Sequence, residues 1–479
     1  MGESRSAMKE TTFQALIDAG LIEIGDGYRA KNNELGGTGP LFLRAGHVSD
    51  THISFDGVER FHAHLADVVA SKMSKPGDVV ITTKGNSTGR TAFITPDLPP
   101  FVYSPHLSYW RSKDHGEIVP GFLRAWSNGA EFTEQLDGMK LSTDMAPYLS
   151  LTDQRRLHIT LPPPAEQRAI ARVLGGLDDK IELNRRMNRT LEDLARGMFR
   201  SWFVDFDPVL RPAPGPPSSP PSPPPVPPAR RGGPASPAPR SAPAAPAPPH
   251  APWPTRLTDS PLGPIPEGWR VGTVGEEFNL TMGQSPPGST YNEDGLGVPF
   301  YQGRTDFGFR FPTRRVHCTA PTRFAEAGDT LVSVRAPVGD INMADERCAA
   351  GRGVAAVRHK SGATSYTYAM MGALRDAFDV FNGDGTLFGC IGKADFDKMQ
   401  VLVPPPEIVA AFERIARPWD EQIATNEREA RSLAATRDAI LPVLLSGEVR
   451  LRSTGTSTPP SRAARPGAGT VHAGAKGRA

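Results

Sequence analysis

The chain repeats itself. Residues 149–205 align without a gap to residues 391–447, at a constant offset of 242. Asp153 meets Asp395, Arg156 meets Lys398, and the run LPPP at 161–164 meets VPPP at 403–406. Arg172/Arg414, Asp178/Asp420, Ile181/Ile423, Asn184/Asn426, Arg186/Arg428, Arg189/Arg431 and Leu191/Leu433 are identical pairs. Upstream, KPGDVVITTKGNSTGR (75–90) echoes EAGDTLVSVRAPVGD (326–340), and PLFLRAG (40–46) echoes VPFYQGR (298–304), in the same order. A tandem duplication implies one folded unit built twice, so a single unit must explain both halves.

Each unit has two parts. The front is rich in Gly and turn residues, with short apolar or β-branched runs at Val79–Thr83, Phe101–Tyr103, Thr330–Val334 and Gly353–Val357. It reads as a compact α+β or mostly β module. The back opens at the Pro triplet, which ends a strand and permits helix initiation just beyond. A seam then runs through Ile170, Leu174, Leu177, Ile181, Asn184, Asn188, Leu191, Ala195, Met198 and Trp202. Its counterpart is Phe412, Ala416, Trp419, Ile423, Asn426, Ala430, Leu433, Arg437, Ile440 and Leu444. Alternating steps of four and three describe a coiled-coil stripe. Asn184 and Asn426 share one seam position, and a seam Asn gives up stability to fix register. Matched seams favour the two helices pairing with each other over each packing alone on its own domain. Gly175-Gly176 and Arg417-Pro418 fall at one aligned point, which predicts a short helix followed by a longer one in each unit.

Charge and composition divide the rest. Nineteen of the 42 residues from 211 to 252 are Pro, with four Arg and no acid. Such a segment is expected to be a passive, disordered polyproline-type linker. Residues 450–479 carry six basic residues and no acid, and are expected to be a disordered tail. Setting these ten charges aside turns the chain's net +2 into −8 for the remainder. The folded part is therefore no uniformly basic nucleic-acid binder, and any DNA contact must come from local patches. Three cysteines without a CxxC exclude a disulfide framework or a classical zinc module. No apolar run approaches the roughly 18 residues of a spanning helix, and MGESRSAMKETT lacks the apolar core of a secretory signal. A soluble, cytoplasmic protein is expected.

No active site emerges. Gly25-x-Gly27-x-x-Ala30 follows a strand-like run, but KNNELGGTGP beyond it opens no helix, so these read as turn glycines. Gly392-Lys393 is followed by Ala394 and lacks the upstream Gly of a phosphate-binding loop. Asp97-Leu98-Pro99-Pro100-Phe101 nears the catalytic loop of adenine N6-methyltransferases, yet Leu98 stands where a polar group must accept the amino proton. His62 and His64 have no third ligand in a recognisable pattern, so no metal site is expected.

The segment LPPPAEQRAIARVLGGLDDKIELNRRMNRTLEDLARGMFRSWFVDFDP (161–208) resembles the central conserved region of specificity subunits of type I restriction–modification systems. IPEGWRVGTVGEEF (265–278) resembles the opening of that family's second target-recognition domain, and GTLFGCIGKADFDKMQVLVPPP (385–406) its close. The resemblance spans 11–449 apart from the linker, whose length departs from the family. It implies an α+β chain with two target-recognition domains in tandem repeat, joined by two long antiparallel coiled-coil-like helices. The implied boundaries are 11–160 for the first domain, 161–207 for the central helical region and 208–254 for the linker. They continue with 255–402 for the second domain, 403–449 for the C-terminal helical region and 450–479 for the tail. Each domain is expected to read one half of a bipartite, asymmetric double-stranded DNA site. The helices are expected to set the spacer and to dock two modification subunits, with two restriction subunits joining. S-adenosylmethionine, ATP and Mg belong to those partners; this chain is expected to bind no cofactor and to catalyse nothing. A Pro-rich scaffold and a standalone methyltransferase are the competing readings, separated by salt-dependent duplex binding and by cofactor crosslinking.

Candidate DNA contacts fall on loops at comparable places in the two units. They are Arg44, Lys84, Asn86, Thr88 and Arg90 in the first, and Gln302, Arg304, Arg310, Arg314 and Arg335 in the second. Arg forks suit guanine, Asn and Gln suit adenine, and Lys favours phosphate. Lys84 and Arg335 align as the basic ends of equivalent strands after a Gly-Asp turn. For helix pairing and subunit docking the candidates are Ile170, Leu174, Leu177, Ile181, Asn184, Leu191, Met198 and Trp202, with Phe412, Trp419, Ile423, Asn426, Leu433, Ile440 and Leu444 opposite.

Overall fold

A computed structural model describes residues 8–49, 53–141, 147–210, 253–382 and 389–451. The Pro-rich stretch 211–252 and the tail from 452 lie outside the described residues. The architecture is mixed α and β. It divides into two compact units: Met1–Glu182 with Ser432–Ala479, and Leu183–Arg431. Among the described residues, no helix is long and apolar enough to cross a membrane.

In the first unit a four-stranded antiparallel sheet runs in the order Ile22–Asp26, Leu107–Ser112, Val79–Thr82, Thr91–Phe93. Leu41–Leu43 pairs in parallel with Phe101–Tyr103, and Lys9–Thr12 pairs antiparallel with His158–Leu161. The second unit repeats this plan. Its four-stranded sheet runs Phe278–Met282, Val354–His359, Thr330–Ser333, Ile341–Met343, again antiparallel throughout. Val298–Tyr301 pairs in parallel with Cys348–Ala350, and Arg270–Thr273 pairs antiparallel with Gln400–Val403. Every residue of Val79–Thr82 and Thr330–Ser333 is buried, which is why these strands read as continuous apolar runs rather than alternations.

The Gly-Asp turn before each of these central strands has a physical reason. Gly77 and Gly328 adopt φ of 94° and 84°, a left-handed backbone that favours Gly. The Asp that follows folds back to accept a backbone N–H three residues upstream, Lys75 for Asp78 at 2.8 Å and Glu326 for Asp329 at 2.7 Å. The neighbouring strand then supplies an Arg. Arg111 donates twice to Asp78, at 2.7 Å each, and the Tyr103 hydroxyl adds a third bond at 2.8 Å. Arg358 donates to Asp329 at 2.5 Å.

Two 40-residue helices, Pro164–Phe203 and Pro406–Leu445, carry the seams. The break predicted at Gly175-Gly176 and Arg417-Pro418 does not occur. Pro418 and Pro442 are exposed, while Phe412, Ala416 and Ile423 are buried on both sides of Pro418. Burial of one continuous face outweighs the roughly 3 kcal/mol helix penalty of a Pro and the roughly 1 kcal/mol of a Gly. The division between units falls inside both helices, so each unit holds a part of each. The first unit's core of Phe13, Trp110, Trp126 and Phe132 is completed by Ile170, Leu174, Leu441 and Leu444. The second unit's core of Phe278, Tyr366, Phe378 and Phe396 is completed by Phe199, Trp202, Phe203, Phe412 and Ala416. Residues 207–210 form a short helix there, and Trp253 packs edge-on against Trp202 at 5.3 Å. The margins assigned to the linker from sequence, 208–210 and 253–254, thus include residues packed into this unit.

The two Arg–Asp pairs differ in enclosure. The Arg111 and Asp78 side chains are 10% and 0% exposed; those of Arg358 and Asp329 are 38% and 10%. Asp78→Ala should therefore cost about 3–5 kcal/mol, the penalty of leaving a buried cation unpaired, and Asp329→Ala clearly less. Denaturant unfolding of the two variants measures this; equal losses would contradict it.

Candidate nucleic-acid interface

The helix seams face inward. Ile170, Leu174, Ile181, Asn184, Met198, Trp202, Phe412, Ile423, Asn426 and Leu444 are buried. Leu177, Leu191, Trp419, Leu433 and Ile440 are half-buried. Within the first unit, Ile170 and Leu174 share a cluster with Leu441 and Leu444, and Arg437 donates to Asp178 at 2.8 Å. Within the second, Phe199 and Trp202 meet Phe412, at ring distances of 5.6 and 6.1 Å. Partner numbers fall in one helix part as they rise in the other, so the packing inside each unit is antiparallel. Arg437, a charged residue on an otherwise largely apolar seam, is satisfied by Asp178 and by its neighbour Asp438 at 2.7 Å.

The seam Asn residues are hubs of a buried polar network in the second unit. Asn184, Asn188 and Asn426 are 0%, 1% and 2% exposed. Asn184 Nδ2 donates to Glu429 at 2.8 Å, Asn188 Nδ2 to Glu427 at 2.9 Å, and Asn426 Nδ2 to Asn188 Oδ1 at 2.8 Å. Gln422 donates to Asn426 Oδ1 at 2.8 Å. The network is not symmetric under the repeat, because Asn188, Glu427 and Glu429 align with Ala430, Arg185 and Met187. Its hydrogen bonds therefore specify the first helix against the second, not either against its own copy.

Arg310 and Thr88 do not belong with the DNA contacts. Arg310 is 1% exposed, donates to Glu192 and, at 2.6 Å, to Asp420, and lies 3.9 Å over the Tyr368 ring. Burial works against its charge, but Tyr368, Asp420 and Glu192 together raise its pKa above the ordinary guanidinium value. It anchors the loop that bears Phe311, which packs with Ile423 and Leu191. Thr88 is buried, its hydroxyl committed to the Gly85 and Pro147 carbonyls at 2.7 and 3.0 Å. A related pattern was missed in the sequence. The aligned acids Asp178 and Asp420 each receive an Arg from the globular part of their own unit, Arg124 at 3.2 Å and Arg310 at 2.6 Å. The identity of the two acids in the alignment was the signal for it.

The remaining candidates are exposed. Arg44 pairs with Glu59, Arg304 with Asp340 at 2.7 Å, and Arg314 with Glu346 at 2.5 Å. Surface pairs of this kind contribute at most about 1 kcal/mol, so such side chains can exchange partners for phosphate or a base edge. Asn86 stands on a turn, Arg90 follows that turn with its N–H donating to the Ser87 carbonyl at 3.1 Å, and Gln302 directly follows the strand Val298–Tyr301. Lys84 and Arg335 occupy matching ladders. The Leu149 N–H donates to the Thr83 carbonyl at 2.9 Å and the Ile391 N–H to Val334 at 3.1 Å. Gly85 N–H donates to Pro147 at 3.0 Å and Ala336 N–H to Gly389 at 2.8 Å. Lys84 bridges Tyr148, and Arg335 bridges Cys390. Residues 147–149 and 389–391 are related by the offset of the repeat.

A groove of about 1170 Å³ in the second unit is lined by Arg270, Glu277, His359, Glu413, Arg417 and the Pro triplet, among others. Its acids are already engaged. Glu413 accepts the N–H groups of Thr364, Ser365 and Tyr366, Glu277 pairs with Arg270, and Glu421 with Arg417 at 3.1 Å. Ser361 Oγ lies 2.7 Å from His359 Nδ1 on the groove's wall, with Glu277 3.8 Å from Nε2. The same Nδ1 accepts the Ser361 backbone N–H at 3.2 Å, so the pair is held as a local turn contact.

No protein-family model matches the chain. It is 27% identical over 311 residues to the protein of Methanocaldococcus jannaschii named as the specificity subunit of the type I restriction enzyme MjaX. That match covers 64% of this chain and 62% of the relative's length. The specificity subunit of the type I restriction enzyme HindI of Haemophilus influenzae is 24% identical over 409 residues, 79% of this chain and 88% of that one. Among solved structures, the S subunit of a type I restriction–modification system from M. genitalium superposes with a TM-score of 0.52 at 14% identity, over 93% of this chain and 98% of that one. The chain is a homologue of type I restriction enzyme specificity subunits.

The Asn network makes a specific forecast. Asn426→Ala strands Asn188 and Gln422 and should cost about 1–3 kcal/mol. Replacing Asn184, Asn188 and Asn426 together by Leu should leave thermal stability equal or higher while allowing chains to self-associate. Calorimetry and light scattering check this; a strongly destabilised, monomeric triple variant would contradict it.

Proposed function

We propose that the chain is the DNA sequence-recognition subunit of a type I restriction–modification complex. Each unit's globular part serves as a target-recognition domain for one half of a bipartite, asymmetric site. The long helices set the spacer and dock modification subunits. The observation that carries this reading is the same sheet order built twice with different exposed loops, in a homologue of specificity subunits. Identical frames with different surfaces suit two different half-sites. Helices of 40 residues are roughly 60 Å long at about 1.5 Å per residue, more than one and a half turns of B-DNA. Helices of that length give spacing, while loop side chains at base edges give sequence. The net negative charge outside the linker and tail fits a clamp supplied in large part by partner subunits.

Arg44, Asn86, Arg90, Gln302, Arg304 and Arg314 are the proposed base and backbone contacts. Two modification subunits hold S-adenosylmethionine in this scheme, and two restriction subunits bring ATP and Mg chemistry; this subunit contributes none of it. The purified chain should neither methylate nor cut DNA, and adding the modification subunits should produce adenine methylation at one bipartite sequence. Methylation sequencing of the reconstituted complex checks this. Methyl transfer by the chain alone, or methylation with no sequence preference, would overturn the proposal.

A further inference from the structure

Among the candidate recognition residues, Lys84 and Arg335 are the two exposed cations that the repeat places identically. Each follows a buried central strand. Each is flanked by the same pair of backbone hydrogen bonds and joined by the same bridge to residues 242 apart. The backbone under both is therefore fixed before any ligand arrives. Unlike Arg44, Arg304 and Arg314, neither forms an ion pair among the described residues. Around them the two corners differ. Gly85, Asn86 and Ser87 follow Lys84, whereas Ala336, Pro337 and Val338 follow Arg335.

That combination discriminates between reading and holding. Base readout requires side chains that change with the half-site. Phosphate is the same at every step of a duplex and demands only a cation at a fixed place. Lys is a compact point charge without the planar fork that Arg presents to guanine. Beyond that backbone frame, what the two side chains share is positive charge. We infer that Lys84 and Arg335 are equivalent phosphate-contact residues, one per unit, which seat each recognition surface on the duplex without reading sequence. This rests on the DNA-recognition reading above, and it reassigns Arg335 from base reader to backbone contact.

The test uses the full chain assembled with its modification subunits. The probes are a duplex carrying the genomic site mapped by methylation sequencing and a scrambled duplex. Lys84→Gln and Arg335→Gln should each lower the slope of log affinity against log salt by about 0.9, and the double variant by about twice that. Both duplexes should weaken by the same factor, and the methylated sequence should stay unchanged. Lys84→Arg should restore the slope, and because both heads are exposed the melting temperatures should hold. An unchanged slope in either single variant overturns the equivalence. A loss confined to the site duplex with a changed methylated sequence makes the residue a base reader. Failure of the recognition reading looks different: the unmutated complex would bind neither duplex with salt dependence.

Discussion

Each globular unit is closed by helix parts from distant stretches of the chain. Phe13, Trp110 and Trp126 begin a core that Leu441 and Leu444 complete, more than 300 residues further on. Phe278 and Phe396 begin another that Phe199 and Trp202 complete from the far side of the Pro-rich stretch. Burial of aromatic and branched side chains is the largest favourable term available to such a fold. It also carries a functional consequence. A recognition surface built on either core is bolted to both helices, so loop and helix cannot move independently.

Polar contacts refine what burial fixes only roughly. Arg124 to Asp178 and Arg310 to Asp420 tie each globular part to an aligned acid. The network of Asn184, Asn188 and Asn426 adds little net stability, because amides exchange one set of hydrogen bonds for another. Its value lies in register. A purely apolar seam tolerates sliding by a heptad, whereas these amides and the carboxylates of Glu427 and Glu429 match in one alignment only. For the proposed spacer role, register is the quantity that has to be exact.

The sequence was informative where the determinants are local or periodic. The seam from Ile170 to Trp202 and its copy from Phe412 to Leu444 could be read because a period of 3.5 survives any number of surface changes. The duplication was legible through the Gly-Asp turns, whose backbone requirement forces the same two residues twice. Local propensity misled at Gly175-Gly176 and Pro418, where burial of a continuous face overrides it. The candidate site was legible only in part. Arg310 looked like a free loop cation because its acids, Asp420 and Glu192, lie 110 and 118 residues away. Thr88 looked available because Pro147, which takes its hydroxyl, is 59 residues on. Exposure and pairing are properties of the fold, and no window of sequence around such residues contains them.

The central claim is that the helices are the spacer, and changing their length tests it most directly. Asp178 meets Arg437, so residues just after Asp179 and just after Leu433 lie at one level of the pair within the first unit. Four residues inserted at each place would lengthen both helices together by roughly 6 Å and leave the Asn network intact. At about 3.4 Å per base pair along one strand, that is at most about 2 base pairs. Methylation sequencing of the double-insertion variant, assembled with its modification subunits, should return the same two half-sites with a gap longer by one or two. An active complex with an unchanged gap, or with altered half-site bases, would contradict the account.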